Sequence, residues 1–127
     1  MAKTIEIGAL GEKEAVKFLR AKGYKITDRN KRQSHKEIDI IAHNKEYLAF
    51  VEVKTRSVGK DMYNPYGSAA SAVNYQKQKN LIAGARAYLA EHPTDLMIRM
   101  DVIEVYLEKE TQKLLKINHI ENAYMAH

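Results

Sequence analysis

The fold is decided by the stretch YLAFVEVKTR at residues 47–56, together with EIDII at residues 37–41. Both stretches are apolar enough to be buried strands, and their closeness in the chain predicts a β-hairpin. Asp39, Glu52 and Lys54 nevertheless lie inside them. Burying a charge costs several kcal/mol unless the group is paired or bound to a metal. The three charged groups are therefore candidates for a functional site.

The composition is that of an ordinary globular protein. The chain has 127 residues, of which 45% are hydrophobic and 29% are charged, so we expect one domain over residues 1–127. The sequence contains no cysteine, which excludes disulfides and thiolate metal sites. No apolar run approaches the length of a membrane span, and the first residues do not begin a signal peptide. We therefore expect a cytoplasmic protein with no membrane partner.

The formal net charge is +5, and the basic residues are concentrated before the carboxylates. Between positions 17 and 36 the only acidic residue is Asp28, and the basic residues are Lys17, Arg20, Lys22, Lys25, Arg29, Lys31, Arg32 and Lys36. Such a run is usually solvated surface. Next to a carboxylate cluster it also favours binding of phosphates, through charge neutralisation and release of counterions.

The hydrophobic periodicity predicts an α/β domain. Helices are expected at about residues 5–22, before Gly23, and at 69–91, and strands at 24–27, 37–42, 47–55, 96–107 and 113–117. The resulting order, αβββαββ, predicts a mixed central sheet flanked by helices. The connection at 57–71 is long enough to suggest a function of its own.

The charged residues of the hairpin have the chemistry of a divalent-metal site. Residues two apart in a strand share a face, so Glu52 and Lys54 should project together, with Asp39 at a similar level on the neighbouring strand. Two adjacent carboxylates repel unless a cation lies between them, and hard oxygen ligands suit Mg²⁺ or Mn²⁺. Such an ion would polarise a phosphoryl oxygen and lower the pKa of a bound water. Lys54 could orient that water or stabilise developing charge.

The pattern Asp39…Glu52-x-Lys54 resembles the core of the PD-(D/E)xK, or restriction-endonuclease-like, nucleases. The resemblance narrows to the YraN-like family of small bacterial proteins, which are similar to archaeal Holliday-junction resolvases. The matching stretches are GE at 11–12, GY at 23–24, RNKR at 29–32, EIDIIA at 37–42, FVEVKTR at 50–56, YG at 66–67, KQ at 77–78, RMDV at 99–102 and HIENA at 119–123. The resemblance implies a three-layer restriction-endonuclease-like domain.

The same resemblance implies roles for individual residues. Asp39, Glu52 and the backbone carbonyl of Val53 would bind the metal, and Lys54 would be the catalytic lysine. Glu12, on the first helix, matches an acidic residue that contributes to the metal site in the resolvases. Two departures from the family pattern are that Lys36 stands where a glycine usually precedes Glu-Ile-Asp, and that the proline of the PD motif is absent.

Five basic residues are expected to contact nucleic acid, and they are Arg29, Lys31, Arg32, Arg56 and Lys77. For Lys77 an exposed helix lysine is the alternative, and Arg56 could equally extend a strand end. Three tyrosines, Tyr63, Tyr66 and Tyr75, could stack on bases, although core packing explains Tyr75 equally well.

The acidic residues also have simpler explanations. Asp39 and Lys54 could form a cross-strand ion pair. Glu12 could be a solvated carboxylate near the start of a helix, favoured by the helix dipole. Asp101, between Met100 and Val102, is better explained as a structural acid paired with an arginine. The histidines lie too far apart in sequence to indicate a zinc site.

The resemblance implies a Mg²⁺- or Mn²⁺-dependent endonuclease that acts on branched or structured DNA. It also implies a homodimer, because two symmetric cuts need two sites, although the sequence shows no recognisable dimer interface. One alternative is a DNA-binding module that keeps the fold without turnover. Another is an interaction protein whose basic stretch is only surface.

Overall fold

The computed structural model describes residues 3–33, 36–59 and 75–124. In chain order the elements are α1 (Lys3–Ala21), β1 (Lys25–Gln33), β2 (Lys36–His43), β3 (Tyr47–Val58), α2 (Tyr75–Glu91), β4 (Met97–Glu108) and β5 (Leu114–Ile120). The predicted order αβββαββ is confirmed. The arrangement is an α/β domain consistent with the three-layer, restriction-endonuclease-like fold expected from the sequence.

The sheet is mixed, and its strands follow one another in chain order from β1 to β5. All neighbouring strands are antiparallel except β3 and β4, which are parallel. A parallel pair needs a crossover connection, and α2 lies in the connection between these two strands. The two ladders that flank β3 therefore differ: a tight hairpin joins it to β2, and a helical crossover joins it to β4.

The hydrophobic core is divided into two layers by the sheet. On one face α1 packs Leu19 in a buried cluster that includes Ile40 and Val51. On the other face α2 packs Leu81 in a cluster that includes Ile41 and Phe50. Successive residues from Ile40 in β2, and from Leu48 in β3, thus point to opposite helices, as the two-residue period of a strand requires.

The first strand is longer than predicted. The sequence predicted a strand at residues 24–27, whereas β1 extends over Lys25–Gln33 and pairs with β2 along its length. Most of its side chains are exposed or only half-buried, because β1 is an edge strand. Its backbone hydrogen bonds, rather than an apolar pattern, hold it in the sheet.

Part of the predicted loop at 57–71, the beginning of the second predicted helix at 69–74, and Tyr63 and Tyr66 lie outside the described residues. In the ranges that are described, no helix is long and apolar enough to cross a membrane.

Candidate functional site

Strand β2 departs from regular geometry at Asp39. Its pairing with β3 ends at Ile40, opposite Val51. Ile38 packs on the α2 face and Ile40 on the α1 face, although residues two apart in a regular strand share a face. On the other side of β2, Asn30 of β1 has a φ of 51°. The sheet therefore opens between β2 and β3 at the level of Asp39.

The side chain of Asp39 accepts a hydrogen bond from the backbone of β3 where regular pairing of β2 with β3 has ended. If the register of β2 and β3 continued, Val53 would pair with Ile38; instead, the backbone N–H of Val53 donates a hydrogen bond to Asp39 Oδ2 at 2.9 Å. The N–H and C=O of one strand residue point to the same side. The Val53 carbonyl therefore faces the opening as well, where it can serve as an oxygen ligand.

Glu52 lies beside Asp39 and contacts two lysines. Its side chain is buried, with the residue 7% exposed. Glu52 Oε1 lies 3.3 Å from Lys54 Nζ and accepts a hydrogen bond from Lys77 Nζ at 3.0 Å. Both ammonium groups contact the same oxygen, so Oε2 takes no part in these ion pairs. The cross-strand pair of Asp39 with Lys54, considered as an alternative, is not formed, because Lys54 pairs with Glu52 on its own strand.

The pKa values of Asp39 and Glu52 are shifted in opposite directions. Burial, followed by the charge of Glu52, raises the pKa of Asp39 from 3.8 to about 7. Burial also acts to raise the pKa of Glu52, but Lys77 and Lys54 outweigh it and hold that pKa below its usual value. At neutral pH Glu52 is therefore ionised, whereas the protonated and ionised forms of Asp39 are both populated.

These oxygen donors fit a hard divalent cation. The raised pKa of Asp39 reflects a second negative charge that the site accommodates poorly, and a cation would neutralise it. Mg²⁺ commonly binds through one or two carboxylates and keeps several waters. No group of three Asp, Glu or His side chains converges in the described part of the chain. A cation at Asp39 and Glu52 would therefore take its remaining ligands from the Val53 carbonyl and from water.

Glu12 reaches the same region from α1 but is bound elsewhere. Its Oε1 accepts hydrogen bonds from Arg29 Nε at 3.2 Å and from Asn30 Nδ2 at 3.0 Å. It lies well inside α1 and its side chain is 14% exposed, so it is not a solvated carboxylate at the start of the helix. Glu12 adds weakly to the pKa shift of Asp39, after burial and Glu52. The structure thus places it next to Asp39, with its carboxylate turned towards β1.

Two cavities meet at Asp39 from opposite faces of the sheet. The first, here called the Glu52 cavity, has a volume of about 280 Å³ and opens on the α2 face. The second, the Glu12 cavity, has a volume of about 350 Å³ and opens on the α1 face. The Glu52 cavity is lined by Lys36, Asp39, Glu52, Lys77 and Asn80, among others, and the Glu12 cavity by Glu12, Asn30, Asp39, Val53 and Thr55.

The basic residues expected to contact nucleic acid fall into two groups. Arg29, Lys31 and Arg32 lie on the edge strand β1, where each is near an acidic side chain at 3.2–3.9 Å. The pairs of Lys31 and Arg32 are the more exposed ones, and exposed pairs are weak, so these two residues can exchange their partners for phosphate. Lys77 is half-exposed, but its ammonium enters the site, so it is more than an exposed helix lysine. Arg56 has a buried Nε without a hydrogen-bond partner in the described structure.

Outside the site, two further predictions meet a clear outcome. The pairing of Asp101 with an arginine is confirmed: Arg99 Nη2 lies 2.7 Å from its Oδ2, and His119 Nε2 and the Asn122 N–H also contact the carboxylate. Core packing for Tyr75 is wrong, because Tyr75 is 73% exposed at the start of α2.

Sequence reasoning missed three residues of the site. Asn80 was not considered, Lys36 was noted only as one of the basic residues before the carboxylates and as a departure from a motif, and Asn30 only as part of a matching stretch. All three line the cavities at Asp39. Lys36 could have been found, since it begins the strand that carries Asp39. Nothing in the sequence near Asn80 links that position to the hairpin.

Comparison with known proteins identifies one family. The profile of a family described as "Uncharacterised protein family UPF0102" matches residues 11–105. A UPF0102 protein of Alkaliphilus oremlandii is 45% identical over 122 residues, which cover 94% of this chain and 97% of the relative. A relative from Caldanaerobacter subterraneus subsp. tengcongensis is 40% identical, with 93% of both chains covered. A third, from Acetivibrio thermocellus, is 42% identical over 92% of this chain and 89% of its own.

Proposed function

Because this chain belongs to the uncharacterised protein family UPF0102, whose description gives no activity, we propose from its own site that it is a metal-dependent DNA endonuclease. The observation that carries the proposal is the pair Asp39 and Glu52, set side by side where the sheet opens, with Lys54 against Glu52. Buried like charges with a lysine beside them are costly in a purely structural role.

Each residue of the opening has a distinct role in this proposal. Asp39, Glu52 and the Val53 carbonyl would hold Mg²⁺ or Mn²⁺. Such an ion supplies Lewis acidity to a phosphoryl oxygen and makes water a better nucleophile at neutral pH. Binding of the ion would compete with the proton of Asp39, whose pKa is about 7 without it. Glu12 would supply a further oxygen from α1 once it leaves Arg29.

Lys54 is suited to stabilise the charge that develops on the phosphate. Its side chain is 16% exposed, and Glu52 holds its ammonium group at the site. Burial is the main cause that lowers the pKa of Lys54, and the neighbouring Lys77 lowers it further. A fixed, partly desolvated cation interacts more strongly with phosphate than a solvated one.

The basic residues of β1 would hold the DNA backbone beside the site. Arg29, Lys31 and Arg32 lie on the strand next to β2, so they flank the opening at Asp39. The choice of branched or structured DNA as substrate follows from the resemblance to the resolvases. A DNA substrate also agrees with a cytoplasmic location.

A second function, a DNA-binding module without turnover, has one observation in its favour. Lys54 and Lys77 both form ion pairs with Glu52, so the site is partly satisfied by the protein's own charges. In that case the same basic residues would bind DNA, and no divalent ion would be needed.

Charge-neutralising substitutions separate the two functions. We expect Glu52→Gln and Lys54→Met each to slow cleavage of a labelled DNA by at least about 100-fold, because a metal ligand or the phosphate-stabilising cation is lost. Binding of the same DNA in EDTA should change by less than about threefold for Glu52→Gln. Cleavage is measured on junction, flap, single-stranded and duplex DNA with Mg²⁺, Mn²⁺ or EDTA.

Matched controls come from the exposed turn between β2 and β3. Glu46→Gln and Lys45→Met make the same chemical changes away from the site and should cleave like the unmodified protein. If the unmodified protein cleaves none of the four DNAs with either metal, the proposed catalysis is rejected. If the Glu52→Gln variant cleaves DNA as fast as the unmodified protein, Glu52 is not part of the active site, and the proposed site is rejected.

A further inference from the structure

Lys36 contributes to the Glu52 cavity an ammonium group that forms no ion pair within the described residues. It is the first residue of β2, and it lines this cavity together with Asp39, Glu52, Lys77 and Asn80. Within the described ranges its ammonium forms no ion pair or hydrogen bond. The adjacent Glu37 also lines the cavity, but the ion pair that its carboxylate forms is with Arg32, at 3.9 Å. The charge of Lys36 is therefore available to a ligand in the cavity.

The stem of Lys36 is held against α2. A Cβ on Gly84 would lie 3.2 Å from the Cβ of Lys36 and 3.5 Å from Ile38 Cδ1. The helix backbone thus packs closely on the first residues of β2, and a side chain at position 84 would require Lys36 to shift by a few tenths of an ångström. Positions 77, 80 and 84 recur on one face of a helix, so the face that contacts Lys36 also carries Lys77 and Asn80.

Asn80 supplies neutral donors to the same cavity. Its Oδ1 accepts a hydrogen bond from Gln76 Nε2 at 3.1 Å, one turn earlier in α2. This contact satisfies the carbonyl end of the amide, and the Nδ2 group keeps its hydrogens for another acceptor. The cavity therefore combines a cation and an amide donor from two elements that are packed together.

These groups match the chemistry of a phosphodiester. Phosphate oxygens accept hydrogen bonds from lysine and from asparagine side chains, and such contacts fix the register of a nucleic-acid strand. The cavity of about 280 Å³ is near the small end of ligand cavities, a size suited to one phosphate with part of its sugar. Asp39 and Glu52 lie in the same cavity, so a phosphate at Lys36 would be close to the one cleaved.

We propose that Lys36 and Asn80 form a subsite that binds a phosphate of the DNA strand next to the scissile phosphate. The proposal rests on the proposed function for the identity of the scissile position, but the binding it describes requires no catalysis. The subsite sets which bond of the strand reaches Asp39 and Glu52. It differs from Arg29, Lys31 and Arg32, which lie on the edge strand.

The test is the salt dependence of DNA binding without divalent metal. The probe is a fluorescein-labelled four-way DNA junction in EDTA, with affinity measured by anisotropy over a series of KCl concentrations. Lys36→Ala should weaken binding about three- to tenfold at low salt and reduce the slope of log K against log [KCl] by about 0.7–0.9, as expected for one lost phosphate contact. Asn80→Ala should weaken binding with the slope unchanged, because its amide carries no charge.

Lys45→Ala is the matched control, since it removes the same charge at the far end of β2 from an exposed turn. It should keep both affinity and slope. The subsite is rejected if Lys36→Ala behaves like Lys45→Ala, if its affinity falls with no change in slope, or if the unmodified protein does not bind the junction. A reduced slope for Lys36→Ala in a protein that cleaves no DNA would support the subsite while rejecting the proposed catalysis.

Discussion

Among single residues, Asp39 has the most demanding position, because it closes a gap in the sheet and carries half of a carboxylate pair. Its Oδ2 accepts the Val53 N–H, which favours the ionised form, yet burial and Glu52 favour the protonated form more strongly. The protein therefore maintains a group that would be more stable without its charge. Such strain is common where a site must bind a cation.

The first prediction follows from the pKa of Asp39. Because the folded-state pKa of about 7 exceeds the reference value of 3.8, the folded protein binds the extra proton between these pH values, and stability falls as the pH rises through this range. Asp39→Asn removes this penalty. In EDTA at pH 8 we expect the variant to gain on the order of 2–4 kcal/mol in the free energy of unfolding, and almost nothing at pH 4.

Urea unfolding at pH 4, 6 and 8 measures this difference, with Asp95→Asn, at an exposed position, as the control. Added Mn²⁺ at pH 8 should stabilise the unmodified protein and leave Asp39→Asn unchanged, because a ligand that binds only the folded state raises its stability. An Asp39→Asn variant that is less stable than the unmodified protein at pH 8 would contradict the assigned cause.

The residues of the site differ in how far sequence could place them. Asp39, Glu52 and Lys54 lie on one hairpin, so strand periodicity and a short turn were enough to bring them together. Lys77 is different, because its approach to Glu52 depends on how α2 packs on the sheet. A long connection precedes α2, and no local rule sets the position of a helix after such a connection.

At the level of the elements, α1 packs closely on β3. A Cβ on Gly11 would overlap the side chain of Thr55, so the helix backbone touches the strand one residue away from Lys54. This approach also places Glu12 on the α1 face of the site. Neighbouring Gly8 has no heavy atom within 4 Å of the equivalent position. The two glycines of α1 therefore serve different purposes.

Alanine substitutions should separate them. Gly11→Ala forces α1 or Thr55 to move, and we expect a loss of about 1–3 kcal/mol in the free energy of unfolding from overpacking. Gly8→Ala should gain about 0.5–1 kcal/mol, because alanine favours the helix and meets no neighbour. Thermal unfolding of both variants measures the difference; equal effects, or a stabilised Gly11→Ala, would show that the contact is not tight in solution.

Two features of the strands were beyond sequence-based prediction. The exposed edge strand β1 lacks the alternating apolar pattern that predicts a strand, so its second half was missed. The turn of β2 at Asp39 was also hidden, because Ile38, Ile40 and Ile41 fit a regular buried strand equally well. Only their packing on opposite faces reveals the irregularity. The other elements were predicted to within a few residues wherever they are described.

On the scale of the whole molecule, the order αβββαββ follows from hydrophobic periodicity alone, and so do the two packed faces. The position of the site is a property of the complete sheet. Asp39 lies where β2 leaves β3, so it is accessible from both faces, and the helices on those faces bring Glu12 and Lys77 to it. The three-layer arrangement thus places groups from separate parts of the chain around one carboxylate.

Each chain has a single Asp39–Glu52–Lys54 set, so under the proposed function simultaneous cleavage of two strands would require a second copy. We expect a homodimer to form when DNA binds, with the two sites related by a two-fold axis. Sedimentation with and without a DNA junction measures the assembly, and supercoiled plasmid separates nicked from linear products. At protein concentrations where the dimer is present, linear and nicked plasmid should appear together. When the protein is dilute, the linear plasmid should appear later than the nicked plasmid. Simultaneous double-strand cleavage by a monomer would exclude this arrangement.

The chain-order sheet also bears on how the protein folds. β1, β2 and β3 are joined by short hairpins, whereas Tyr47 of β3 must find Met97 of β4 across a large chain separation. Local pairings form faster than distant ones, because they cost less loop entropy. We therefore expect the β2–β3 hairpin to bring Asp39 and Glu52 together before α2 packs and Lys77 reaches Glu52. Repulsion between these two carboxylates would then slow the formation of the hairpin. Because protons and divalent cations reduce that repulsion, either should accelerate folding.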